Sequence, residues 1–103
     1  GLAEVEQAVC DVFGVEPAQL RSEGKGRSIN EPRMLAMWLA RKYTRAPWSE
    51  IGFFFGRRSH STVIAANRRV ENLLRSQAQV GVNRDTCNIE EAIRRVEAAI
   101  RTA

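Results

Sequence analysis

Residues 48–70 read WSEIGFFFGRRSHSTVIAANRRV, and no other stretch restricts the fold as much. Ile51, Phe54 and Phe55 make one short apolar face, and Gly56 cuts it off. Val63, Ala66, Val70, Leu73 and Leu74 then recur at helical spacing, which predicts an amphipathic helix from near Ser59 to about Ser76. Two helices joined by so short a glycine-containing turn must pack directly on each other, the outline of a helix-turn-helix. The densest polar cluster of the chain, Arg57 to Thr62, falls in that turn and on the first turn of the second helix.

The flanking sequence is helical as well. Val5, Val9, Val12 and Phe13 predict a first helix that Gly14 stops, and VEPAQL predicts a short turn of helix with Pro17 near its start. RSEGKGRSIN, residues 21–30, has two glycines, two serines and no periodicity, and reads as a basic loop. Asn30 is the expected N-cap of the next helix, with Pro32 in its first turn. That helix carries Met34, Leu35, Met37, Trp38, Leu39 and Tyr43, and is expected to be the central core helix. Ala46-Pro47 ends it. QAQVGVNRDTC reads as a loop, and Asn88 with Glu91 as a capping box opening a last helix over about 89–102. The expected fold class is therefore all-α: a compact helical domain of about five to six helices, with the helix-turn-helix over about 48–76 and residues 1–103 as one domain.

Charge narrows the partner. The net charge is +4, but residues 21–75 hold twelve Lys or Arg against four acids, while residues 1–20 hold only acids. A basic middle of that size points to a polyanion, with nucleic acid the commonest. The longest apolar runs are far shorter than the ~20 residues of a membrane span. The acidic N-terminus is unlike a signal peptide. Cys10 and Cys87 suit two reduced thiols packed as small hydrophobes. These features set an expectation of a cytoplasmic, nucleoid-associated protein. No metal-ligand cluster, nucleophile–base pair or phosphate-binding G-x-x-x-x-G-K occurs, so the expectation is a non-enzyme with no cofactor and no metal.

In a helix-turn-helix the second helix enters the major groove by its N-terminus, and the first crosses the backbone. Free backbone N–H groups and the positive dipole end there suit phosphate. Ser59, His60, Ser61 and Thr62 can donate to phosphate oxygens without blocking close approach, and Arg57 and Arg58 are placed for backbone or guanine contact. His60 alone would read as a structural histidine; within this cluster it reads as a DNA contact. Arg68 and Arg69 read as a solvated face or outlying phosphate contacts rather than base readers. Arg94, Arg95 and Arg101 read as surface partners of Glu90, Glu91 and Glu97.

The string GRRSHSTVIAANRRV resembles the signature of the C-terminal DNA-binding domain of the bacterial replication initiator DnaA. That signature runs glycine, basic residues, Asp-His-Thr-Thr-Val, a Lys/Arg pair and an apolar residue. RSINEPRMLAMWLARKYT and WSEIGFFFG are similar to the family's preceding helices, so the resemblance covers roughly residues 3–75. It implies sequence-specific binding of duplex DNA at origin boxes. It places Lys25 at a minor-groove position with Arg27 two residues on, and makes Arg33 a further DNA contact and Arg41 a phosphate contact. It sets Trp48 and Ser49 at the start of a helix that touches the backbone, and Arg58, His60, Ser61 and Thr62 on bases and phosphates in the major groove. It further implies a parent protein with an ATPase domain that this chain lacks. Two positions depart from the family. Ser59 replaces an aspartate whose carboxylate selects a cytosine amino group, and Lys25 replaces an arginine, giving up the planar fork. A helical protein-interaction or adaptor module, or a DnaA-like domain borrowed by another DNA-processing or regulatory protein, is the alternative reading.

Overall fold

The hydrophobic stripes read from the sequence converge on one helix. The computed structural model describes residues 1–57 and 59–102. Its elements are α1 (Leu2–Phe13), α2 (Pro17–Arg21), α3 (Arg27–Tyr43), α4 (Trp48–Phe54), α5 (His60–Arg75), β1 (Gln79–Val82), β2 (Asp85–Asn88) and α6 (Ile89–Thr102). α3 lies at the centre, packed by α1, α2, α4, α5 and β1, while α6 covers α1 and the hairpin. Leu35, Leu39, Ala36 and Ala40 of α3 meet Val5, Val9 and Phe13 of α1, Ile51 and Phe55 around α4, and Val63 and Val70 of α5 in one buried cluster. Burial of each such Leu, Ile, Val or Phe is worth roughly 1.5–3 kcal/mol, which is what fixes α4 and α5 against the rest.

Local signals explain most boundaries. Gly14 takes a left-handed φ of 71° and its N–H caps α1 on the Cys10 carbonyl at 2.9 Å. α3 begins one turn earlier than expected. Its N-cap is Gly26, because the Asn30 side chain is committed elsewhere: its Nδ2 donates to the Lys25 carbonyl at 2.6 Å and its Oδ1 accepts from Arg33 Nη1 at 2.9 Å. The basic loop is thereby shortened to residues 22–26, and Pro32 falls inside the helix.

The segment expected to be a loop is a β-hairpin. β1 and β2 pair antiparallel with Val80 opposite Cys87 and Val82 opposite Asp85. The two turn residues, Asn83 and Arg84, both have positive φ (48° and 76°), the geometry of a two-residue primed turn. Val80 and Val82 face the core. At its end the Asn88 side chain accepts from the Glu90 N–H at 2.8 Å and opens α6. α6 is tied back to α3 through Glu97, which accepts from Lys42 Nζ at 2.8 Å and from the Tyr43 hydroxyl. Glu97 was expected to pair within α6; Arg94 and Arg95 pair with Glu91 instead. No described helix is long and apolar enough to cross a membrane.

Candidate nucleic-acid interface

The turn between α4 and α5 is shaped by two glycines. Gly56 has φ 73°, and its N–H donates to Phe53 O at 3.0 Å. Arg57 N–H reaches Gly52 O at 2.7 Å. A Cβ on Gly52 would sit 3.2 Å from Val63 Cγ2 and 3.4 Å from Ser59 O, so the missing side chain is what lets α5 approach α4. Ile51, Phe55 and Val63, each fully buried, lock the pair.

That anchoring leaves the start of α5 facing out. Ser59 is its N-cap: the hydroxyl accepts from Ser61 N–H at 3.2 Å and pairs with Ser61 Oγ at 2.6 Å. Serine and aspartate both serve as N-caps, so the exchange at this position keeps the helix start and removes a charge. Ser59, His60, Ser61 and Thr62 are all exposed, and burial begins at Val63. Arg58 lies outside the described residues.

The remaining expected residues fall into four groups. Ser49, Arg57 and His60 line one groove together with Phe53 and Gly56. Lys25, Arg33 and Arg57 line an adjoining cleft with Thr62, floored by Met34 and Met37. Arg57 joins the two, its Nε donating to Phe55 O at 3.0 Å and its Nη2 to Ser22 O. Arg27, exposed at the first position of α3, borders a further groove with Lys25 and Arg69. Arg41 stacks its guanidinium 4.1 Å over the Trp48 ring, and Trp48 borders a groove with Arg68 on the flank of α5.

Arg33 stands apart. It is 5% exposed, and its five N–H donors all meet acceptors within the protein. Burial, and secondarily the neighbouring Arg57 charge, lower its pKa from the usual arginine value. Arg21, read as part of the basic loop, is also structural: it grips the buried Glu6 through two bonds of 2.9 and 2.7 Å and lies 4.6 Å over the Phe54 ring. Phe53 is a further residue of this surface that the sequence does not single out. It is 83% exposed, in the groove with Ser49 and His60, and its only sequence signal is that it falls off the Ile51–Phe54–Phe55 face.

Comparison with known proteins places this geometry. The family model described as the bacterial DnaA protein helix-turn-helix matches residues 2–70. The chromosomal replication initiator protein DnaA of Thermus thermophilus is 42% identical over 77 residues, covering 75% of this chain and 18% of that protein. The corresponding protein of Wolbachia pipientis is 35% identical over 78 residues, 76% of this chain and 17% of that protein. That of Caulobacter vibrioides is 40% identical over 70 residues, 68% and 14% respectively. The chain thus spans less than a fifth of the length of these relatives, and the family match stops before the hairpin and α6. With its glycine-shaped turn, capped α5 and buried anchors, the chain belongs to the bacterial DnaA helix-turn-helix family.

Proposed function

We propose that this chain is the duplex-DNA-binding module of a replication initiator, directed to DnaA-box-like sequences. The observation that carries the reading is the juxtaposition of two exposed polar elements on one rigid frame. The Ser59–Thr62 tip of α5 and the Lys25-bearing loop border adjoining clefts joined by Arg57. α5 enters the major groove with His60, Ser61 and Thr62 foremost, and Lys25 and Arg27 turn toward the adjacent minor groove. Ser49 and Trp48 with its stacked Arg41 approach the backbone from the flank, and Arg57 and Arg58 supply charge between the grooves. Ser59, acting first as a cap, reads bases less selectively than a carboxylate would, so the preferred box differs from the family's at one position. The module itself is non-catalytic and needs no cofactor; nucleotide hydrolysis belongs to another part of the parent protein.

Shift mapping by NMR with duplex DNA tests this. Perturbations concentrated at residues 57–62 and 25–27 are expected, and their absence from 57–62 overturns the reading. The competing reading, a protein-interaction module, has the exposed Phe53 in its favour. It requires perturbation by a protein ligand centred on Phe53 and none by DNA.

A further inference from the structure

The exposed tip and basic loop leave one arrangement unexplained: a buried arginine dedicated to a surface loop. Arg33 Nε donates to Leu20 O at 2.7 Å. Its Nη1 donates to Gly24 O at 3.0 Å and Asn30 Oδ1 at 2.9 Å, and its Nη2 to Gln19 O at 3.3 Å and Ser22 O at 2.9 Å. All four backbone acceptors lie between residues 19 and 24, the root of the loop that carries Lys25. Asn30 closes the ring by donating to the Lys25 carbonyl. The helix-turn-helix turn grips the same root. Arg57 donates to the Ser22 carbonyl that Arg33 already uses. Gly56 packs so close to the Arg21 carbonyl that a Cβ would lie 2.5 Å from its oxygen. The segment with Gly24 and Gly26 has wide conformational freedom of its own, and this hub removes it.

We infer that Arg33 is a positioning residue rather than a DNA contact: it fixes the basic loop against the helix-turn-helix turn, so that loop and α5 meet DNA as one pre-organised unit. A saturated guanidinium has no donor left for a phosphate or base edge. Reaching DNA would mean releasing the loop it holds. Pre-organisation raises affinity by removing an ordering cost on binding. The inference rests on the DNA-binding reading above.

A double-mutant cycle separates positioning from contact. Arg33→Gln is measured on a selected duplex in the native loop and in a Lys25→Ala/Arg27→Ala loop. Positioning predicts about tenfold weaker binding with the native loop and less than about twofold in the neutral loop, where there is little left to position. In the free protein, amide exchange at residues 22–26 rises while α1 and α5 stay protected, which also shows that the variant is folded. A direct contact predicts the same loss in both loops, a salt slope smaller by about one, and unchanged exchange at 22–26; that result overturns the inference. Asn30→Ala, which leaves the core intact, provides a second arm. It is expected to weaken binding only with the native loop, and equal loss in both loops counts against positioning. A wild-type protein that binds no duplex fails the DNA reading itself, a result distinct from either pattern in the cycle.

Discussion

Gly56→Ala is the substitution that most severely tests the close packing of the turn on the loop root. The backbone there has φ 73°, a region that costs an ordinary L-residue about 1–2 kcal/mol. The new Cβ would also lie 2.5 Å from the Arg21 carbonyl oxygen, a backbone atom that cannot rotate away. Forcing such a contact apart typically costs a further ~1–3 kcal/mol. The total is about 2–5 kcal/mol, a fall in Tm of roughly 10–30 °C for a domain near 100 residues. Two other glycines calibrate the figure. Gly14 shares the left-handed backbone, with φ 71°, but the nearest atom to its Cβ is the end of the Asn83 side chain at 2.7 Å, which can swing aside. Gly14→Ala should therefore cost only about 1–2 kcal/mol. Gly26 has φ −64° and nothing within 4 Å of the added carbon, so Gly26→Ala should lose about 0.5–1 kcal/mol through a poorer N-cap. Urea denaturation followed by far-UV circular dichroism measures all three, with a constant m-value as the check on two-state behaviour. If Gly56→Ala unfolds no more easily than Gly26→Ala, the close packing of the turn on the loop root is refuted.

Four further outcomes follow from the same geometry. Ser59→Asp keeps the cap, adds a favourable charge at the start of α5, and should shift base preference toward cytosine at one position by ~1–3 kcal/mol; an unchanged profile in a binding-site selection contradicts this. Burial, with Glu6 second, pushes the Cys10 thiol up to about 11, so folded protein should be alkylated at the half-buried Cys87 first and at Cys10 only on unfolding. Because the unfolded thiol ionises near 9, the Cys10 contribution to stability is present below that pH and lost as pH rises through about 11, readable in denaturation midpoints against a Cys10→Ala control. The Lys42 and then Tyr43 hydrogen bonds hold Glu97 below its usual value near 4.5. The stability from that tie is therefore present above pH 4.5 and lost as pH falls through the lowered value. Glu97→Gln should cost about 1 kcal/mol at pH 7 and flatten the acid limb of the stability curve.

The helices were legible because the apolar spacing of three and four runs unbroken through Val63, Ala66 and Val70, and because Gly14 and Gly56 punctuate it. The hairpin was not legible. Asn83 is followed by Arg84 rather than glycine, which hides the primed turn, and DTCN has no apolar alternation. Only Val80 and Val82 alternate inward, too short a pattern to separate from a loop. The start of α3 is not legible in the sequence because Asn30 has the chemistry of a cap, and only the fold shows its amide spanning Lys25 and Arg33. In the candidate site, the exposed tip of α5 could be read from the point where apolar periodicity begins. The burial of Arg33 could not, since an arginine that serves backbone carbonyls and one that serves phosphates look alike in sequence. Trp38 shows the same limit: read as core, it is half-buried and donates its indole N–H to Glu71 at 3.1 Å.

The face built by α5 and the basic loop is proposed to read duplex sequence. Titrating the wild-type protein with an initiator-box duplex and a scrambled duplex, across a salt series, is the decisive test. The basic residues assigned to DNA above, Lys25, Arg27, Arg41 and Arg57, with Arg58 of the same sequence motif, predict that log affinity falls with log salt at a slope of about −4 to −5. A preference for the box should survive at physiological salt. Equal affinity for the two duplexes at physiological salt would contradict this reading.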